Sequence, residues 1–347
     1  MRWDDAKLCV MFAGVRAWAT AACVILIWGI TFVNTRALLG EFSALEILVG
    51  RFALAWAALW GLEAWRRCGA RSARPSSVSL ALDHAPVGGG SGTRGRVWRD
   101  EGLFAAMGFC GIFCYQFLEN CAIYYTSASN VAILVSFGPV VTAALARILC
   151  RCAQTTVCKF WVGSTMAIAG VALISFNNAV VFELRPLGDL MALGAMVSWG
   201  CYSILVDKAN ERGCPPGIAI RKAFGWALVM MLPFCVWGAT DAGYCTLDGS
   251  FSVTLDGAAN AERFSNALTW LNLGFLGLLA SAACFVMWNF ACREIGVVRT
   301  TVGLYLTPIV GVVFAAVFLG ERLTRMSLLG GGFIVIGVAI ANWRWRR

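Results

Sequence analysis

Apolar stretches about as long as a bilayer is thick follow one another along nearly the whole chain, separated by short polar breaks. A helix needs about 20 mostly apolar residues to cross the hydrocarbon core. Helices satisfy their backbone hydrogen bonds internally, so such runs are read as helices rather than strands. Ten spans are predicted, at about 18–38, 45–65, 102–124, 128–149, 160–176, 187–208, 217–238, 268–292, 297–319 and 327–343. The pattern is that of an all-α polytopic membrane protein. Its tightest joint lies between spans three and four, in the stretch FLENCAIYYTSASN, where Glu119 and Asn120 close an apolar run.

Composition agrees with the pattern. Of the 347 residues 59% are hydrophobic and 14% charged, against about 45–50% apolar and about 25% charged in soluble domains. The fifteen cysteines are scattered through the apolar runs without a CxxC pair, and His84 is the single histidine. Cysteine here reads as a small apolar residue, and no metal site or cofactor is expected. Asp4 and Asp5 interrupt the basic leader that a cleaved signal would need, so the first span is expected to stay as an anchor. Met1 and Met11 are both candidate starts.

The net charge of +9 first suggests a nucleic-acid partner, but its distribution answers otherwise. With the N-terminus in the cytoplasm, twenty of the 28 Lys and Arg fall in inner segments and four in outer ones, the rest lying within spans. This is the positive-inside bias. It predicts a multi-pass protein of the cell (inner or plasma) membrane with both termini cytoplasmic. Arg67–Asp100, rich in Gly, Ser and Arg, is expected to be a flexible cytoplasmic linker. It lacks the spacing of a phosphate loop. Ala239–Asn266 is a long outer loop, either a cover for the outer face or a plain connector.

The chain also repeats itself. Trp28-Gly29 precedes Arg51 as Trp199-Gly200 precedes Lys222, in both cases by 23 residues. Asn120 and Asn289 each precede a proline, Pro139 and Pro308, by 19. Ala-Gly-Val-Ala at 169–172 matches Ile-Gly-Val-Ala at 336–339. The halves are expected at 18–176 and 187–343, with five spans each. Five is odd, so the second half must cross in the opposite sense, which gives the inverted repeat of many secondary transporters.

The segments WGITFVNTRAL…ILVGRFALAWAAL, NCAIYYTSASNVAILVSFGPVVTAAL and YLTPIVGVVFAAVFLGERLT resemble the two EamA-type repeats of the drug/metabolite transporter superfamily. The resemblance runs from about Trp18 to Trp343. It implies ten helices, a central cavity and export or import of small metabolites, amino acids and related compounds among them. One departure is local: the Gly320-Glu321-Arg322 motif has Arg151-Cys152-Ala153 at the equivalent place in the first half.

Charged residues inside spans cost about 2.5–3.5 kcal/mol each on insertion scales, so they face a cavity or a partner. Arg51 and Glu119 lie at matching depths and are expected to pair or to line the outer cavity together, with Glu46 as a rival partner for Arg51. A structural ion pair is the alternative. A carboxyl desolvated without a fixed partner is a candidate carrier for a coupling proton. Lys222 is the repeat mate of Arg51 near the inner end, where it either serves the cavity or snorkels, as Arg221 beside it is expected to do. Asn120 and Asn289 are candidate gate or substrate contacts, or plain interhelical bonds. Trp28 and Trp199 are candidate cavity walls or packing. Asn34, Tyr115 and Tyr305 complete the polar candidates, and Pro139 and Pro308 are candidate bending points.

The expected function is a secondary active transporter, taken as an exporter of a small metabolite, working by alternating access. No nucleotide motif supports an ATP-driven pump. A membrane-embedded enzyme would need a nucleophile with its base, paired acids or a metal, and a non-transporting scaffold is the remaining alternative. A monomer and a homodimer are both compatible with the small-residue faces of the helices.

Overall fold

A computed structural model of the chain describes residues 3–39, 41–72, 93–125, 128–150, 158–176, 185–238, 257–318 and 324–343. Ten of its helices are long and apolar enough to cross a membrane, one for each predicted span. They are Gly14–Thr31, Ala44–Cys68, Asp100–Ala122, Val131–Leu149, Cys158–Ser175, Pro186–Glu211, Pro216–Val236, Ala267–Ile295, Val297–Phe314 and Arg325–Asn342, and are called spans 1 to 10 below. Among the described residues there is no strand. Leu26, Trp56, Leu190, Leu268 and Leu329 point out of the bundle, as lipid-facing side chains do when the solvent is hydrocarbon. Ten crossings return the chain to the side it started from. That side is called the terminal end, and the other the opposite end.

Both segments read as loops are partly helical. The helix of span 2 continues to Ser72, and that of span 3 begins at Thr93, so helices enter the predicted linker from both sides. The rest of that linker, with His84, lies outside the described residues. So do the 151–153 and 320–322 triplets and residues 239–256 of the long loop. The last part of that loop is a short helix, Gly257–Ser265, which the apolar pattern did not announce because it is mostly polar.

The two halves carry matching irregularities. Span 3 has a π-helical segment at Phe109–Cys114, and span 8 has one at Phe275–Ala283. Span 4 is interrupted between Val135 and Gly138, and span 9 narrows to a 3-10 turn at Gly303–Leu306. Pro139 and Pro308 stand just after these interruptions. Proline lacks the N–H and crowds the carbonyl four residues back, which here falls on Val135, the last helical residue before the break, and on Leu304, within the 3-10 turn.

Spans 5 and 10 meet through glycine. A Cβ on Gly163 would lie 2.4 Å from Gly337 O, and one on Gly170 would lie 2.5 Å from Gly330 O. Seen from the other helix, the distances are 2.6 Å from Gly163 O and 2.5 Å from Gly170 O. As the contact number rises on one helix it falls on the other, so the two run antiparallel. Equivalent helices of the two halves therefore cross in opposite senses, which is the inverted arrangement of the repeats. Small residues are what allow backbones to approach this closely in a membrane.

Candidate functional site at the centre of the bundle

Spans 1 and 6 bring their tryptophans together. The rings of Trp28 and Trp199 are 6.0 Å apart, edge to face. Trp288 lies 5.2 Å from Trp28, Tyr202 lies 5.2 Å from Trp199, and Phe285 touches both tryptophans. Aromatic pairs in this range prefer edge or offset contacts, and the cluster forms the middle of the largest core. Trp28 Nε1 donates to Ala280 O at 3.0 Å. Ser198 Oγ, beside Trp199 in sequence, donates to Cys110 O at 2.8 Å. Each bond therefore runs from a span of one half to a carbonyl in the π-helical segment of the other.

Tyr115 joins this cluster to the charges. Its ring lies 5.2 Å from Trp199, and its hydroxyl donates to Glu119 Oε1 at 3.0 Å. One turn apart on a helix, the two share a face. Arg51 is within electrostatic reach of both Tyr115 and Glu119. It forms no direct bond to the carboxylate: among the described residues its only hydrogen bond runs from Nε to Ser281 Oγ at 3.0 Å. Arg51 is nonetheless buried, 9% exposed. An acid and a base of opposite charge are thus held near each other and apart. Glu46, the other candidate partner for Arg51, is taken by Arg263 at 3.2 Å.

The remaining candidates separate. Asn289 is buried, with Nδ2 donating to Tyr202 Oη at 3.0 Å and to Phe285 O at 2.7 Å, under the aromatic cluster. Asn120 is half-buried on the helix of Glu119. Asn34 donates to Asn272 Oδ1 at 2.9 Å, joining spans 1 and 8. Tyr305 is buried in a second core with Phe160, Val171 and Ile334, apart from Trp28 and Glu119. Lys222 is bound by Glu101 near the terminal end. The surprise is its neighbour. Arg221 does not snorkel: it is 7% exposed, lies 2.7 Å from a carboxylate oxygen of Glu63 and sits 4.0 Å above the Trp60 ring. Glu63 and Glu101 were missed as partners because both stand at span ends, where an acid reads as solvated. The signal available was their position facing Arg221 and Lys222 at the same end.

The Asn289–Tyr202 pair makes a direct test of packing beneath the centre. Tyr202→Phe leaves Asn289 its bond to Phe285 and is expected to lower stability by about 0.5–1.5 kcal/mol. Asn289→Leu strands the buried phenol and is expected to lower it by about 1–3 kcal/mol. Thermal melts of the two purified variants give the order, and a more stable Asn289→Leu would contradict the assignment.

The sequence profile described as the EamA-like transporter family matches residues 16–176 and again residues 186–343. The chain belongs to this family. It is 29% identical over 306 residues to a probable terminal-alkyne amino-acid exporter of Streptantibioticus cattleyicolor, covering 87% of this chain and 93% of that one. It is 24% identical over 323 residues to an uncharacterized transporter of Archaeoglobus fulgidus, covering 92% and 95%. A probable amino-acid metabolite efflux pump of Escherichia coli matches at 29% over 190 residues, 52% of this chain and 59% of the pump. One solved crystal structure superposes with a TM-score of 0.62 at 18% identity, covering 94% of this chain and 96% of that one, which is a likeness of fold. This EamA-like chain is accordingly a multi-pass membrane protein of a transporter family.

Proposed function

We propose that this EamA-like protein is a secondary active exporter of a small zwitterionic metabolite of the amino-acid type, bound at the bundle centre. The observation that carries the reading is the separation of Arg51 from Glu119. Buried opposite charges usually pair, because an unpaired one is costly. Among the described residues the terminal guanidinium nitrogens are left to donate to a carboxylate, and the carboxylate of Glu119 is left to accept from an ammonium. Trp28, Trp199 and Tyr115 stand beside them as a wall for the rest of the molecule. The names of the S. cattleyicolor and E. coli relatives point to the same class of cargo.

The mechanism follows from the repeat. Residues 18–176 and 187–343 act as two halves that exchange conformations about the central site, so that it opens to one face and then to the other. Substrate bound between Arg51 and Glu119 neutralises both charges and stabilises the occluded states through which the halves must pass. Glu119 also takes a proton when substrate leaves, which couples export to the proton gradient. The distribution of Lys and Arg supports a cytoplasmic terminal end.

The test is flux in proteoliposomes loaded with labelled amino acids. Protein-dependent efflux driven by a pH gradient is expected, with at least a tenfold lower rate and no proton movement for Glu119→Gln. Unchanged proton coupling in Glu119→Gln would remove that residue from the mechanism. Absence of flux for every zwitterion would remove the substrate class.

A further inference from the structure

At the opposite end a cavity of about 400 Å³ lies among spans 1, 2, 7 and 8 and the short helix Gly257–Ser265. It is separate from the central site: Gly50 lines it, while the next residue, Arg51, turns to Ser281. Leu38, Phe42, Leu45 and Leu273 give it apolar walls. Its polar groups are gathered around one ion pair. Arg263 donates to the two oxygens of Glu46 at 3.2 and 3.4 Å, and the side chains are only 14% and 13% exposed. Arg263 also donates to Glu41 O at 2.9 Å and to Asn260 Oδ1, and lies over the Phe42 ring at 4.6 Å. Its Nε, shut away from solvent, has no partner among the described residues.

Cavities of this volume hold small molecules, about 300–1,000 Å³ being usual. The charge balance selects which kind. A lone carboxylate entering beside Arg263 meets Glu46, and a lone amine entering beside Glu46 meets Arg263; either leaves a net charge in a poorly hydrated place. A molecule carrying both groups exchanges one ion pair for two and adds no net charge. Its side chain must be apolar to match the walls. Arg263 Nε supplies the further donor that such a carboxylate would use.

We propose that this cavity is a second binding site, for a small zwitterion with an apolar side chain, at the mouth of the bundle. It goes beyond the central-site reading and does not depend on it. Leucine serves as the probe, with 3-methylbutylamine and 4-methylpentanoate as its two singly charged halves. The protein is held in phosphatidylcholine nanodiscs as Glu119→Gln, which removes the central acid. Labelled leucine is expected to bind at one site, and each half-molecule to compete at least tenfold more weakly. Adding Glu46→Gln or Arg263→Gln is expected to weaken leucine at least tenfold. The charge swap Glu46→Arg with Arg263→Glu, which rebuilds the pair, is expected to restore binding and guards against a misfolded single variant. Three results would overturn the site: no leucine binding to Glu119→Gln, binding indifferent to both single variants, or loss of leucine when phosphatidylethanolamine replaces phosphatidylcholine, which would assign the cavity to a lipid headgroup. Flux measurements on the central site are separate, so either reading can fail while the other stands.

Discussion

Arg51→Gln is expected to raise the substrate concentration for half-maximal flux by about 30-fold or more. Removing one partner of a desolvated, charge-assisted contact costs about 2–5 kcal/mol, and about 1.4 kcal/mol is a factor of ten. Arg51 reaches the centre from span 2 and is steadied through Nε by Ser281 of span 8. Glu119 is steadied separately by Tyr115. Arg51→Lys keeps the charge but loses the planar fork, so it should recover only part of the affinity. The repeat mate is the control. Lys222 is about one third exposed and paired with Glu101, so Lys222→Gln should change affinity by less than about 1 kcal/mol. Flux measured against substrate concentration separates the readings. A fall in protein stability with unchanged half-saturation would mean that Arg51 only braces the helices.

The second large effect is on the fold. Gly170→Ala places a methyl carbon 2.5 Å from Gly330 O and 2.8 Å from a side-chain carbon of Ile334. Gly163→Ala does the same against Gly337 O and the backbone nitrogen of Ala341, at 2.4 and 2.5 Å. These neighbours are largely backbone of the facing helix and cannot swing aside. Overpacking of this kind costs about 1–3 kcal/mol, and the double variant should lose more than either single one. Gly61→Ala is the matched control, since nothing lies within 4 Å of its Cβ. Thermal melts in detergent are expected to fall clearly for Gly163→Ala and Gly170→Ala and to stay at the parental value for Gly61→Ala. Parental melting of Gly170→Ala would mean that spans 5 and 10 do not meet as described.

Much of the frame was legible because a membrane makes apolar length a strong signal. The ten spans and their inverted order follow from run length and internal spacing, whereas the meeting of Trp28 with Trp199 is seen only in the structure. Partner choice was much less legible. Arg221 and Lys222 are sequence neighbours, yet one is buried against Glu63 and Trp60 while the other takes Glu101. Which of two adjacent residues turns inward depends on the rotation of the helix, and no spacing states that. Arg51 and Glu119 were placed together by depth alone. That they stay unbonded depends on Ser281 and Tyr115, which draw them to different sides. The short helix Gly257–Ser265 was hidden because a polar segment in a loop gives no length signal.

Rotation also gives the π-helical segments a consequence of their own. Relative to a regular α-helix, such a segment amounts to an inserted residue. With 3.6 residues per turn, one residue is worth about 100° of azimuth. Phe109–Cys114 lies immediately before Tyr115 in span 3. It therefore sets the phase of everything beyond it, independently of Leu103 and Met107 on the near side, which are buried in the core. Shortened by one residue to a plain α-helix, the same span would still cross the membrane and still bury its first half. Tyr115 and Glu119 would then point roughly a quarter-turn away from Trp199 and Arg51. The insertion works as a dial between two stretches of one helix: the first is indexed to the scaffold and the second to Trp199 and Arg51.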